Sequence, residues 1–589
     1  MRSSPQDAHV QYTRKFRGWL SYAFASEVFV IVSLTLFLPI CLEQFARDNG
    51  YLMPDRTEPC SPPTRPTNVT TSAFAMEPPN SRCVVKIGWF WIDSASFSLY
   101  VYSASVALQA LTVISMGGIA DHPLYRKRLL LCFAILGSIS ATIFLILSST
   151  SPVWYLSALL AICANVGFGA STVAMNAYLP SLARESPEVV EVREKIIAKR
   201  QAVDDAHHSN DEDIDAHADS TDNPAAPLME SHSDTYIPPS VLFLHGSSEK
   251  SEYDATLSRA TSRISSQGIA LGYGAGIILL IVALIPVTRL HNSTFSLRLA
   301  IGLSGIWWAV FTLPAAIWLP ARADSESRRL RETDGAWNDD TDVIERSPEK
   351  WSIWREVVKA WQKLGNMLRW REVKKLKDTF TYLAAWFLLS DGFTTITSTA
   401  ILFGKTVLHM SPSSLVIIGA VTPTAGILGS ILWPHLQKRF AWSNLRVLVT
   451  LVLMASAIPV YGCLGFIIQG TGARFGGLTT PAEMFGLAVY FGSVYGAFQG
   501  YARAFYAELL PPGEEARWYA LFSITDKSSS FLGSLIVGLI SDITGNIRYS
   551  FFFLVFMVWA AVPILGCVNV ERGREAAKDY SDQRAASSL

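Results

Sequence analysis

The chain has 589 residues, of which 50% are hydrophobic and 17% charged, against about 25% charged in an ordinary soluble protein. Lys and Arg balance Asp and Glu at 49 each, so net charge gives no reason to look for a nucleic-acid partner. The apolar residues gather into runs of about 18 or more, the signature of membrane-spanning helices rather than of a soluble core.

A polar tail, 1–18, carries Arg14, Lys15 and Arg17 and leads into the first predicted span at 19–42. That run is too long for a signal-peptide core and is followed by no small-residue cleavage site, so it reads as a retained span. A polar loop rich in Pro and Thr occupies 43–92. Spans at 94–120, 129–149 and 153–180 follow, then a long acidic stretch at 181–260, then spans at 262–289 and 297–320. A linker, 321–379, precedes six more spans at 380–404, 413–435, 444–469, 481–509, 517–541 and 549–570, and the tail 571–589 ends the chain. Each span is expected to be a helix because lipid offers no partner for free backbone groups. The fold class expected is therefore an all-α membrane protein. It has twelve transmembrane helices in two pseudo-symmetric six-helix halves, 19–320 and 380–570.

An even number of spans puts both termini on one side. The basic residues Arg14, Lys15, Arg17, Arg126, Lys127, Arg128, Lys438, Arg439, Arg572 and Arg574 all fall on that side, which marks it as cytosolic. Two Asn-x-Ser/Thr sequons, at Asn68 and Asn292, fall on the opposite side and are candidate glycosylation sites. Asn68 stands farther from the membrane and is the better acceptor. Cys60 and Cys83 share loop 43–92 and can pair if that loop faces an oxidising lumen. The other cysteines lie in or beside apolar spans, and no metal-ligand spacing is present.

Stretch 181–260 contains His207, His208 and His217 among carboxylates, irregularly spaced; it reads as a disordered cytosolic segment and not a metal site. In the linker, Trp351, Trp354, Val358, Trp361, Leu364 and Leu368 recur at helical spacing, with Lys350, Arg355, Lys359, Lys363 and Arg369 between them. This predicts an amphipathic helix lying on the cytosolic leaflet or packed on the protein's own inner face.

Short motifs recur between the halves. Phe168-Gly-Ala170 precedes Asn176-Ala-Tyr178 in the fourth span, and Tyr495-Gly-Ala497 precedes Arg503-Ala-Phe505 in the tenth. Between spans two and three, Gly117-Gly-Ile-Ala-Asp121 followed by Arg126-Lys127-Arg128 resembles the major facilitator signature. That resemblance implies a cytosolic latch made of Gly117, Asp121, Arg126 and Lys127, with the glycine permitting close helix approach. His122-Pro123 departs from the pattern, and the second half keeps only the basic pair Lys438-Arg439.

Five further segments carry a narrower resemblance. They are Trp19 to Glu27; Ser265 to Gly276; Ser390-Asp-Gly392; Arg503 to Pro511; and Arg517 to Lys527. Together they resemble the autophagy-related vacuolar amino-acid effluxers of fungi, over nearly the whole chain. The resemblance implies release of amino acids, leucine and other aliphatic ones among them, from the vacuole into the cytosol by alternating access. It implies no cofactor. Its partners would be the bilayer, a small-molecule substrate and protons. Composition and periodicity do not reach this cargo. A facilitator for another solute such as a sugar or lysolipid, or a membrane receptor or scaffold, remains an alternative.

Charges inside spans cost about 2.5–3.5 kcal/mol each on insertion scales and ask for a reason. Asp391, deep in span seven, either exchanges a proton and meets a substrate ammonium or makes a structural bond to a neighbouring helix. Glu27 can take an amino group or pair with Lys527. Arg503, Asp526 and Lys527 offer cations for a carboxylate, or an inter-helix network near the cytosolic end. Gln267 and Tyr273, with the glycines of span five, mark a polar and closely packed helix, and Asn176 is a polar candidate for a cavity wall. There is no Walker loop and no metalloprotease, serine-hydrolase or dinucleotide motif, so an enzyme is not expected.

Overall fold

The apolar runs fold into long helices. A computed structural model describes residues 5–60, 82–120, 123–199, 239–290, 293–320, 352–471, 475–511 and 515–588. The first helix is α1, Pro5–Val28. It passes through a π-helical stretch, Phe29–Phe37, into α2, Leu38–Asp48. Pro39 brings no N–H to the turn that follows the stretch, and widened turns are one way a helix accommodates a missing donor. Next come α3, Ser94–Ala120; α4, Pro123–Ile143; α5, Leu156–Asn176; α6, Leu179–Arg184; α7, 187–199; α8, Pro239–Arg289; and α9, Thr294–Trp318.

Two helices occupy the linker: α10, Ile353–Met367, and α11, Trp370–Lys375. The second set is α12, Lys377–Thr406; α13, Pro412–Phe440; α14, Asn444–Thr471; α15, Pro481–Ala507; α16, Glu515–Thr544; and α17, Ser550–Gly566, with a final helix α18, Val570–Ser588. Side-chain caps start several of them. Ser293 and Ser411 each accept from the backbone three residues on, and Thr480 with Glu483 forms a capping box at α15.

Packing follows one scheme twice. In the first set α1 packs on α8 and α9, α5 on α3 and α4, and α4 on α9. In the second set α12 packs on α16 and α17, α15 on α13 and α14, and α14 on α17. The sets meet where α3 lies along α16 and α8 along α13. Each set is filled by aromatic rings. Phe29 and Trp308 stand 5.3 Å apart in the first; Phe393 and Phe498 at 4.0 Å, and Trp386 and Phe522 at 4.4 Å, stack in the second. Among the described residues nine helices are long and apolar enough to cross a membrane by themselves. The long helices α4, α15 and α16 pack among those nine. Large apolar side chains stand exposed around the outside, Ile285, Leu313, Leu428 and Phe556 among them, as a bilayer solvent permits and water does not.

Two stretches read as loops hold regular structure. Within 43–92, the strands β1, Tyr51–Leu52; β2, Cys83–Ile87; and β3, Phe90–Asp93 form an antiparallel sheet in that order, and Cys60 is bonded to Cys83. Stretch 181–260 is not disordered throughout. Helix α7 occupies 187–199 and α8 begins at Pro239, because Val189, Ile196, Tyr253 and Ala260 recur at helical spacing and are buried. Arg263 on α8 pairs with Glu188 on α7, and Lys15 with Glu185 at 2.9 Å. The acidic middle of that stretch, with its three histidines, lies outside the described residues. Helix α10 packs on α3, where Trp361 Nε1 donates to Ser115 Oγ at 3.1 Å, while Trp354 and Trp370 stand exposed.

Candidate functional site

Side chains from both helix sets converge where α1, α3, α8, α12, α15 and α16 face one another. Glu27 projects from α1 onto α8 at Gly272, where an added Cβ would stand 2.6 Å from the Glu27 Cβ. Gly268 receives the Trp19 ring one turn below, and Gly276 receives Ile31 one turn above. The glycine run thus lets α1 lie against the backbone of α8. No hydrogen bond or ion pair to the Glu27 carboxylate is found among the described residues; Lys527, from the opposite set, lies within electrostatic reach of it. Tyr273, next to Gly272, lies within reach of both Glu27 and Arg503.

On the other side Lys527 Nζ stands 3.3 Å from Asp526, whose carboxylate also accepts the Ser390 hydroxyl. Tyr495, bonded by Gln499 at 3.0 Å, lies within reach of Tyr273, Asp526 and Tyr102. Asp391 is sealed between α12 and α16. Its oxygens accept from Gly533 N at 2.8 and 3.1 Å and from Thr395 Oγ1 at 3.2 Å. Only 1% of the residue is exposed. The arrangement thus sets the Glu27 carboxylate opposite two cations, Arg503 and the Asp526-paired Lys527, among tyrosine rings. A zwitterion bearing an ammonium and a carboxylate matches that charge pattern. Gln267 and Asn176 are exposed on α8 and α5, and among the described residues no hydrogen bond ties either to this cluster.

Several of the bonds that join the two sets lie at the end bearing the sheet. Arg82 bonds both the carbonyl and the carboxylate of Asp542, and stands 3.6 Å from Asp93. Asp93 N donates to Asp542 at 2.9 Å, and Ser96 Oγ to Gly538 O at 2.8 Å. Glu43 on α2, fully buried, pairs with Lys405 on α12, which also donates to Ile40 O at 2.8 Å.

At the opposite end, Arg126 Nε donates to the last carbonyl of α3, at Ala120, and its guanidinium lies 4.8 Å from the Tyr178 ring. Lys127 Nζ donates to Leu319 O at 2.7 Å, just past α9. Both basic groups therefore meet helix C-termini, where the helix dipole favours them. Gly117 departs from the close approach expected of it: an added Cβ there would meet nothing within 4 Å. Asp121, Asn68 and Asn292 lie outside the described residues.

A family described as vacuole effluxer Atg22-like matches residues 11–578. The chain belongs to that family. Autophagy-related protein 22 of Cryptococcus neoformans is 39% identical over 99% of this chain and 98% of its own length. Autophagy-related protein 22-1 of Neosartorya fischeri is 38% identical, over 96% and 91%. Among solved structures, the inward open conformation of the xylose transporter XylE from E. coli aligns with a TM-score of 0.50. It is 11% identical and covers 96% of this chain and 98% of its own. That likeness gives the fold alone. As a member of the vacuole effluxer Atg22-like family the protein is a multi-pass vacuolar transporter of autophagy and not an enzyme.

For this effluxer, several functional-looking charges escaped sequence reading. Glu43 and Lys405 each lie one residue beyond a predicted span boundary. Arg82, Asp93 and Asp542 sat in or beside loops. Tyr102 gave no signal in its apolar run.

Proposed function

We propose that the protein is a secondary transporter of twelve spans in two pseudo-symmetric halves, and that it releases amino acids, aliphatic ones among them, from the vacuole to the cytosol by alternating access. The observation that carries this reading is the doubled packing scheme. The same five helix pairings recur in α1–α9 and in α12–α17, and the two contacts between sets, α3 with α16 and α8 with α13, exchange under the same correspondence. Such internal symmetry, with a site between the repeats, suits halves that rock about a fixed centre.

In this reading the sheet and the disulfide face the lumen and both termini the cytosol, as the basic loops favour. The sheet-end ion pairs then make this the cytosol-open state. Glu27 takes the substrate ammonium, Arg503 or Lys527 its carboxylate, and Tyr273, Tyr102 and Tyr495 wall the cargo. Asp391, bonded to the backbone of α16, is the group whose protonation would loosen the joint between α12 and α16. The facilitator signature residues Arg126 and Lys127, with Asp121, would act at the cytosolic end when the opposite state forms. Asn68 and Asn292 carry glycans on the lumenal side.

Release of labelled leucine from isolated vacuoles tests the reading. Vacuoles holding the protein are expected to release leucine faster than vacuoles lacking it, and Glu27→Gln is expected to abolish the difference. Equal release with and without the protein would rule leucine out. Sugar or lysolipid efflux in its place would keep the fold and change the cargo. Full leucine release by Glu27→Gln together with Arg503→Gln would rule out this cluster.

A further inference from the structure

A second polar site lies away from the central cluster, at the termini end. Helices α11 and α18 and the start of α16 enclose a cleft of about 440 Å³. Arg369, Lys375 and Arg517 bring three cations to its wall, against one carboxylate, Glu372. That carboxylate is already engaged: Tyr580 Oη donates to it at 2.7 Å and Lys375 Nζ stands 3.4 Å away. Burial pushes its pKa up, but the Tyr580 hydroxyl, Lys375 and Arg517 outweigh burial and hold it below the usual range. Glu372 therefore stays ionised, and the described lining sets three cations against this one carboxylate. Asn366 and Gln583 add neutral hydrogen-bond donors.

The position of the cleft narrows its ligand. Trp370, which opens α11, is 71% exposed, and Trp354 on α10 is 78% exposed. Span α12 begins at Lys377, directly after α11. Exposed indoles beside the start of a span belong at the membrane–water boundary. Lys374 lies 5.8 Å from the Trp370 ring, adding a further cation at that level. Planar guanidinium groups with neighbouring ammonium and amide donors suit a compact, multiply charged oxyanion.

We propose that this cleft binds a phosphorylated anion, either the phosphomonoester of a lipid headgroup in the adjoining leaflet or a soluble phosphate. Bound there, the anion bridges the linker, the C-terminal helix and α16. Because α16 also carries Asp526 and Lys527, occupancy biases the helix that lines the central cluster. The site is thus a regulatory one, and its binding test stands apart from the identity of the transported cargo.

Native mass spectrometry of the full chain in detergent tests this. The probes are dioctanoyl phosphatidylinositol monophosphate, dioctanoyl phosphatidylinositol without the phosphomonoester, and inorganic phosphate. The monophosphate lipid is expected to bind. Arg369→Gln is expected to weaken it severalfold, and Arg369→Gln with Arg517→Gln by about tenfold, roughly 1.4 kcal/mol. Lys195→Gln, at an exposed position on α7, is the unaffected control. Tryptophan-fluorescence melting confirms that each variant is folded, and the exposed Arg369 change alone carries the test if the double variant is not. Competition by inorganic phosphate assigns a soluble ligand; its absence, with the unphosphorylated lipid silent, assigns a headgroup. Equal lipid retention by wild type and the Arg369 variant, or no adduct with either phosphorylated probe, overturns the proposal.

Discussion

Glu43 on α2 and Lys405 on α12 form an ion pair that joins the two helix sets, with the carboxylate fully buried and the ammonium nearly so. Lys405 also holds the Ile40 carbonyl, and Ser94 donates to Glu43 at 3.3 Å. Removing one member leaves the other charged and buried. Lys405→Ala is expected to cost about 3–5 kcal/mol, as broken buried pairs do. The purified protein should melt markedly lower, and the swap Glu43→Lys with Lys405→Glu should recover part of the loss. An unchanged melting temperature in Lys405→Ala would show that the pair does not hold the sets together.

The close approach of α1 to α8 separates two neighbouring glycines. An added Cβ at Gly272 overlaps the Glu27 side chain, whereas at Gly274 it meets nothing within 4 Å. Gly272→Ala is expected to destabilise by about 1–3 kcal/mol, the usual range for overpacking, and to displace Glu27. Gly274→Ala should leave melting and transport near wild type. Equal effects at the two positions would contradict the packing described.

Asp93 links stability to pH. Burial pushes its carboxyl up to about 6 from the usual 3.8; Arg82 and the backbone N–H groups of Ser96 and Ala95 pull the other way, and nearby Glu43 adds to the rise. A carboxyl with a higher pKa folded than unfolded binds its proton more readily in the folded chain. Its contribution is therefore fullest below the unfolded value and fades as pH rises through about 6. Two units correspond to roughly 3 kcal/mol at most. Asp93→Asn is expected to flatten the pH dependence of the melting temperature between about pH 4 and pH 6. A slope identical to wild type would remove Asp93 as its source.

Asp391 is expected to couple transport to pH through its bonds to Gly533 and Thr395. An amide cannot exchange a proton there, so Asp391→Asn should transport slowly and with a flat pH profile in vesicles carrying a pH gradient. A variant that keeps the wild-type profile would leave Asp391 a structural joint only.

Much of the fold is written in the apolar runs. Helix α15 spans Pro481–Ala507 where 481–509 was expected, and α14 spans Asn444–Thr471 where 444–469 was expected. What stayed hidden is long-range or masked by composition. Acidic residues around α7 concealed the buried spacing of Val189 and Ile196, and the Pro- and Thr-rich loop concealed three short strands. Asp391 and Glu27 stand out as charges within apolar helices, and Lys527 was an expected neighbour of Glu27, but the partner of Asp391 was not legible. Gly533 lies 142 residues from Asp391, and only folding brings the two together. The Glu43–Lys405 pair was invisible for the same reason.

Counterflow of labelled leucine into vesicles holding only the purified protein tests the central claim most directly. Wild type is expected to accumulate label transiently against an internal pool of leucine. Glu27→Gln and Arg503→Gln, though folded by fluorescence melting, are expected not to. Wild-type vesicles indistinguishable from empty ones, or variants that match wild type, would contradict amino-acid transport through this site.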